Sequence, residues 1–429
     1  MRILTISVNA WSNTIATGNT FSNFFSNISE KDEIANIYCR NEKIDNNICS
    51  RYFRITEREI LKSLLHFKPV GVSFSRDEIP EISVSDLSIL ATNNSQGNAL
   101  RKKRPALLLL ARELIWSINT WRNKKLKKFL DDFKPDIIYM HGHGNWYTHN
   151  ILWFCKKYTG AKLALFSGDD VYAYHRAAPL QLFYHWILRR KLKRSFTESD
   201  IVFGGSPQLC KEYSAIFNRE IHPLYKVCTN LKKPNLRKRN YPLHAVYCGN
   251  LLYGREQVLS EIAKQIRLIN SEEVKFQMHI YTGNPLSDEY KELLNDGVNC
   301  IYEGQKPFTE IVKVLDECDF SILAESFEPK DIKRTRLSFS TKIIDYMEAD
   351  SALLCIGPSN IGSIDYVRTS GIGFFIHNTS EFAECVSKVL SNPELIDVSI
   401  KNKYEYALKH HSKSILRQSL ENLINTNSL

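Results

Sequence analysis

Short apolar runs recur along this chain, and most lead into a polar, small-residue loop and then into apolar positions three and four residues apart. That alternation of a strand period with a helix period predicts strand–loop–helix units. Arg2 to Val8 reads as a buried strand. Phe21, Phe24 and Phe25 in NTFSNFFS (19–26) read as the inner face of the next helix, after the polar loop WSNTIATG, which ends at Gly18. The scheme repeats in FKPDIIYMHGHGNW (133–146), AKLALFSGDDVYAY (161–174) and SDIVFGGSPQLCKEY (199–213). In the last of these, Ser206-Pro207 opens a helix with a cap and a first-turn proline. The basic, Pro- and Asn-rich stretch KVCTNLKKPNLRKRNYP (226–242) interrupts the pattern, which then restarts with HAVYCGNLLYGREQ, FQMHIYTGNP, VNCIYEGQKP, DFSILAES, SALLCIGP and GIGFFI as strand-like segments.

Units of this kind build parallel sheets covered by helices on both faces, with functional loops at the carboxyl ends of the strands. The expected fold is α/β, with two Rossmann-like doubly wound domains facing a central cleft. The expected boundaries are 1–225 for the first domain, 226–242 for a linker and 243–403 for the second domain. Residues 404–429 are expected to form a C-terminal helix packing back on the first domain, with Tyr404, Ala407, Leu408, Ile415 and Leu416 among its apolar positions.

A length of 429 residues agrees with two cores rather than one. The hydrophobic share of 43% and charged share of 24% are those of a globular protein. The opening MRILTISVNAW reads as a first strand and not as a signal peptide, and no run reaches the ~18 apolar residues of a membrane span. Ten cysteines are scattered without a CxxC pair, which fits reduced structural thiols in a cytoplasmic protein. The net charge of +10 points to an anionic partner, and much of it sits in RKKRP (101–105), RNKKLKK (122–128), RRKLKR (189–194) and KKPNLRKR (232–239). No nucleic-acid-binding motif accompanies these runs, so nucleic acid is not an expected partner.

The candidate chemistry concentrates in LSFSTKIIDYMEADSALLCIGP (337–358). A helix beginning near Ser340 would offer free amides and a positive dipole end to an anion. Ser340 and Thr341 would either cap that helix or donate hydroxyls to a phosphate, and Lys342 would add a point charge. Asp345 lies one turn in on the same face and can accept hydrogen bonds from ribose hydroxyls, while Ile343, Ile344 and Met347 face the sheet. Arg255, in YCGNLLYGREQ, follows Gly249-Asn250 and Gly254, where backbone can approach a ligand closely. It is either a surface arginine or a second cation for a departing diphosphate. His141, His143, Asp169 and Asp170 all stand just past strand ends, placed to hold a hydroxyl acceptor or assist its proton transfer, or else simply to face solvent and, for Asp170, to cap the following helix. No metal is expected, because His141, His143 and Asp169 lack a recognised ligand spacing. No P-loop, dinucleotide fingerprint or hydrolase elbow is present.

One further segment, PALLLLARELIWSINTWRNKKLKKFL (105–130), places Leu107, Leu110, Leu114, Ile118 and Trp121 on one stripe with cations at both ends. It reads either as a helix lying on an anionic membrane surface or as a helix of the first domain with a solvated basic face.

Taken together, these pieces resemble a family. The strand and loop at Thr17-Gly18-Asn19, KPDIIYMHGHG, FSGDD, YCGNLLYGRE, IYTGN and VNCIYEGQKPFTEIVKVLDECDFSIL, followed by LSFSTKIIDYM, run in the order of GT-B glycosyltransferases and are similar to the bacterial group 1 (GT4-type) sugar transferases. The resemblance implies a nucleotide-diphosphate sugar, as substrate and not cofactor, on the second domain and an acceptor on the first. It matches Arg255 and Lys342 to the diphosphate-binding cations, Asp345 to the ribose-binding acid and Gly18 to a small residue near the diphosphate. Glu303 and Gly304 fall near the base, and Asp169, Asp170, His141 and His143 on the acceptor side. No metal or other cofactor is implied. The family's pattern has two glutamates separated by seven residues. Here the later position is Asp345, and counting back eight reaches Leu337, so the earlier acid is absent or is supplied by Glu325 or Glu328.

The expected function is transfer of a hexose, with retention, from a nucleotide-sugar donor to a growing glycan in surface polysaccharide (lipopolysaccharide or capsule) biosynthesis. The expected acceptor is lipid-linked, with the protein peripheral on the inner face of the cytoplasmic membrane. The alternatives are a nucleotide-sugar epimerase of the same fold and a non-catalytic basic binding protein.

Overall fold

In the computed structural model, residues 1–11, 16–26, 32–42, 44–66, 69–79, 106–173, 179–413 and 415–425 are described. The chain forms two compact units. The first comprises Met1–Gly205, Cys210–Leu224 and Ser414–Leu429, and the second Ser206–Leu209 and Tyr225–Lys413.

The first unit holds a sheet of eight strands: β1 (Arg2–Ser7), β2 (Glu33–Tyr38), β3 (Arg51–Arg54), β4 (Val72–Ser75), β5 (Ile137–His141), β6 (Lys162–Ser167), β7 (Ile201–Gly204) and β8 (His222–Pro223). They lie in the order β4-β3-β2-β1-β5-β6-β7-β8, parallel throughout except for the antiparallel β3–β4 pair. Its helices are α1 (Ala16–Phe24), α2 (Glu57–His66), α3 (Ala106–Ser117), α4 (Lys124–Phe133), α5 (Trp146–Thr159), α6 (Pro179–Glu198) and most of α7 (Pro207–Phe217). Phe21, Phe24 and Phe25 are buried with Ile3 and Tyr139, as their spacing predicts. The Ser206 hydroxyl accepts from Leu209 N at 3.1 Å and so caps α7.

The second unit holds six parallel strands: β9 (Leu243–Cys248), β10 (Phe276–Tyr281), β11 (Cys300–Gly304), β12 (Phe320–Ala324), β13 (Ala352–Ile356) and β14 (Gly373–Ile376). Their order is β11-β10-β9-β12-β13-β14. Its helices include α8 (Arg255–Ile269), α9 (Lys291–Leu294), α10 (Phe308–Glu317), α11 (Pro329–Thr335), α12 (Lys342–Glu348), α13 (Gly362–Ser370), α14 (Phe382–Ser391) and α15 (Glu394–His410). Strand order reverses between β1 and β5 in one unit and between β9 and β12 in the other. In an open α/β sheet such a reversal opens a crevice at the strands' carboxyl ends, where ligands bind.

Two expectations are corrected. The stretch 404–424 is two helices, because α15 ends at His410 and α16 (Leu416–Asn425) follows, burying Leu416 and Leu420 in the first unit's core. The stretch 105–130 is likewise two helices. Asn119 adopts a left-handed conformation (φ 62°) and breaks the path, and Trp121 turns inward, fully buried, its Nε1 donating to Trp116 O at 3.1 Å. The basic run 124–128 is then the outer side of α4, whose buried stripe is Leu126, Phe129, Leu130 and Phe133, capped by Asn123. The RKKRP run (101–105) lies outside the described residues. No described helix is long and apolar enough to cross a membrane.

Candidate active site

At the β9/β12 reversal the loop leaving β9 begins with Gly249 at φ 148°. Tyr253 (φ 60°) and Gly254 (φ 72°) then turn left-handed in succession to start α8. A side chain at 254 would meet Ser326 Oγ at 2.3 Å and Asp331 Oδ2 at 2.7 Å, so glycine lets the loop sit down on the segment after β12. Arg255 is the first residue of α8. Its Nη1 donates to Asn250 Oδ1 at 2.8 Å, and its Nη2 donates to both Glu325 oxygens at 2.8 and 3.0 Å. Glu325 stands at the carboxyl end of β12, only 3% exposed. Burial lowers the Arg255 pKa, and the Glu325 carboxylate more than offsets this, so the guanidinium is held charged.

Lys342 opens α12, two residues later than expected. Thr341 precedes it without capping through its side chain, and Ser340 N donates instead to Ser363 Oγ at 2.7 Å. The helix buries Ile343, Ile344 and Met347, as their spacing predicts. The Lys342 ammonium lies 4.8 Å from the Tyr247 ring centre and directly over Gly249, where a Cβ would stand 2.0 Å from Nζ. Among the described residues it has no carboxylate within ion-pair distance. Burial and the neighbouring Arg255 lower its pKa to about 8.

Asp345 is half-buried, 3.6 Å from the ammonium of Lys226. Burial raises its pKa against the pull of Lys226 and Lys342. Lys226 is held in turn by His411, whose Nδ1 donates to Lys226 O at 3.1 Å. That leaves His411 Nε2 as acceptor for Tyr366 OH at 2.6 Å, the neutral tautomer that its lowered pKa favours. The carboxyl end of α12 is closed by Lys403, fully buried on α15, which donates to Tyr346 O, Ala349 O and Ser351 O. Leu337, where the family pattern has an acid, is core at 1% exposed. Glu303 and Gly304 end the edge strand β11, and the Glu303 carboxylate lies 3.0 Å from His279 Nδ1.

In the first unit, β5 ends at His141, its ring 4.3 Å from Phe21 and 4.7 Å from Phe166. His143 follows, 6.2 Å from His141. Burial lowers both pKa values, that of His143 to about 3, so both imidazoles are neutral near pH 7. His149 Nε2 donates to His143 O at 3.0 Å, which leaves Nδ1 of this neutral ring to accept from Ser195 Oγ at 2.8 Å, and Ser195 Oγ accepts in turn from Trp153 Nε1. The buried Glu113 carboxylate accepts from Trp146 N, Tyr147 N and Tyr184 OH, closing the start of α5 from a distance. After β6, Asp169 is exposed, and Asp170 Oδ1 accepts from Ala173 N at 2.8 Å and Tyr213 OH at 2.9 Å. Gly18 falls within the first turn of α1 rather than in the loop before it, and its surroundings lie outside the described residues.

The full chain superposes on solved structures of sugar-nucleotide enzymes. Sucrose-phosphate synthase from Thermosynechococcus elongatus matches at 13% identity over 99% of this chain and 96% of its own, with a TM-score of 0.57. The fold is GT-B. S. aureus TarM, solved with fondaparinux, α-GlcNAc-glycerol and UDP, shares this GT-B architecture at 12% identity, 99% and 100% coverage and a TM-score of 0.58. UDP-GlcNAc 2-epimerase from Neisseria meningitidis, bound to UDP-GlcNAc, matches at 14%, 98% and 100%, and 0.51. No family model matches the chain, and no curated protein matches it by sequence.

Proposed function

We propose that this GT-B protein is a glycosyltransferase whose second unit holds a nucleotide-diphosphate hexose and whose first unit presents the acceptor hydroxyl. The observation that carries this reading is Lys342. A half-buried ammonium with no carboxylate in ion-pair distance among the described residues, beside a second cation and over a glycine that gives it room, is set for a ligand anion. During transfer the bond between the anomeric carbon and the diphosphate oxygen breaks, and negative charge grows on the departing diphosphate. Lys342 and Arg255 neutralise that charge as it develops, without a metal. The seven residues of α12 are too few for its dipole to share much of this task.

Asp345 is assigned to the ribose hydroxyls and Glu303 with Gly304 to the base. Glu325 takes the place of the acid absent at Leu337, fixing Arg255 rather than standing eight residues before Asp345. In the first unit the neutral His141 and His143, with Asp169 and Asp170, are assigned to the acceptor. Its oxygen bonds to the anomeric carbon while its proton passes to the leaving phosphate on the same face, which gives retention. A growing, lipid-linked glycan of a surface polysaccharide is the acceptor class we infer from the basic runs.

The test is a thermal-shift panel of nucleoside diphosphates and nucleotide sugars, followed by assay of acceptor-dependent release of the nucleoside diphosphate. A ligand of the native state raises the Tm. If no nucleotide raises it, the donor reading falls. If a nucleotide sugar is altered without any acceptor, the epimerase reading replaces transfer.

A further inference from the structure

Helix α6 turns apolar side chains in both directions. Its inner face (Tyr184, Leu188, Leu192, Ser195 and Phe196) is buried at helical spacing. On the outer face, Leu182 (44% exposed), Phe183 (51%) and Trp186 (52%) occupy the first half. Arg190, Lys193 and Arg194 occupy the second half, all exposed. Five of the helix's residues are basic, all within 189–194, against one acid, Glu198, which pairs with Arg194 at 3.1 Å. The Phe183 and Trp186 rings stack at 6.3 Å, and the Arg190 guanidinium lies 3.8 Å over Trp186. A shallow depression opens among Leu182, Phe183, His185, Trp186 and Arg189. The neighbouring helix α3, tied to α6 by the Tyr184–Glu113 bond, exposes Leu107 and Leu114 to 65% and 67%.

Such a face costs free energy in water, and its chemistry restricts what covers it. A sugar platform needs several amides or carboxylates around the rings to take hydroxyls, whereas beside these rings α6 carries mainly leucines and cations, with Gln181 and His185 its other polar groups there. A lipid surface satisfies every component. Leucine and aromatic groups enter the acyl boundary, indole rests at headgroup level, and arginine and lysine stems reach back to phosphates. We propose that the outer face of α6 docks the protein on an anionic lipid bilayer.

The inner side of the same helix holds the histidine loop. Tyr184 OH shares its one proton between Gly144 O at 2.7 Å and Glu113 Oε1 at 3.0 Å, and Ser195 orients the His149 that grips His143 O. A helix lying on lipid therefore positions the very loop assigned above to the acceptor, so a lipid-borne acceptor meets it at the bilayer surface. Only this last step rests on the proposed function, and the docking face stands without it.

The test is sedimentation of the full chain with vesicles of phosphatidylcholine containing about one third phosphatidylglycerol, against phosphatidylcholine alone. Binding is expected only to the anionic vesicles and is expected to weaken as salt rises. The double variant Phe183→Ser/Trp186→Ser should lose at least about 10-fold in vesicle affinity, and Arg190→Gln and Lys193→Gln about 5-fold each. The Tm shift given by nucleoside diphosphates should be unchanged in all three variants, since none touches Lys342 or Arg255. Undiminished vesicle binding by the double variant overturns the proposal. So does a self-association in solution that the same substitutions abolish, because a second copy would then cover the face. Loss of vesicle binding with an intact nucleotide response supports it, and absence of any nucleotide response would count against the donor reading alone.

Discussion

A Cβ on Gly249 would stand 2.0 Å from the Nζ of Lys342 and 2.5 Å from its Cε, so the glycine and the lysine exist in this geometry only together. Gly249→Ala must push the lysine off Tyr247 and place alanine at φ 148°, where a side chain is strained. The expected result is a stability loss of about 1–2 kcal/mol and at least about a tenfold weaker response to nucleoside diphosphate, read by urea unfolding and by titration calorimetry.

The two cations should part company when each is removed. Lys342→Ala deletes a half-buried charge with no ion pair among the described residues, so transfer should fall by about 10²–10³ while stability at pH 7 holds. Arg255→Ala strands the Glu325 carboxylate, 3% exposed, and should cost about 3 kcal/mol of stability in addition to the loss of transfer. Denaturation midpoints measured on the pair check the contrast. Full transfer activity in both variants would overturn the site assignment.

Donor binding should carry the titration of Lys342. With a free-protein pKa of about 8, the lysine is charged below that pH and neutral above it, and a bound diphosphate favours the charged form. Affinity is therefore flat below pH 8 and falls by up to about tenfold per unit above it. Lys342→Met should bind weakly with that slope absent, which calorimetry across pH 6.5–9.5 resolves on an approximate unit grid.

Lys403 gives a stability test of opposite sign to the usual lysine, whose pKa an acidic partner raises. Burial lowers its pKa to about 8 in the fold, below the 10.5 of an exposed lysine. Between those values the unfolded chain binds more protons, so stability should rise with pH through that window. The full shift corresponds to on the order of 3 kcal/mol. Lys403→Met should lack this rise. It should also be less stable at high pH, because Tyr346 O, Ala349 O and Ser351 O lose their donor, and its donor affinity should fall as α12 loosens.

Much of this was legible in the chain, and the limits have physical causes. The alternation of periods located both sheets, the Gly249–Arg255 loop was readable because it follows a strand end that its own sequence marks, and Lys342 because it opens a short helix behind Ser340-Thr341. What pairs across the fold was not. Nothing local says that Glu325 meets Arg255 across 70 residues, or that Lys226, read as linker, meets Asp345. One signal was present and unused: Lys403 falls on the apolar stripe Ile396, Ile400, Ala407 of its helix, where a lysine must find buried acceptors. The stripe over 105–130 misled for the converse reason. A helical period continues on paper through a left-handed Asn119 that the backbone does not pass without turning.

The lysine that closes α12 also sets an order in time. It is synthesised 55 residues after Glu348, the helix's last residue (403 − 348), which at cellular rates is roughly 3–10 s later. Until then the last carbonyls of α12 have only water, and Lys226 awaits His411 as well. The first unit waits longer still, since Leu416 and Leu420 of α16 fill a core whose strands are made well before them. A nascent chain therefore holds two open cores at once, and the one whose strands come first is the last to close.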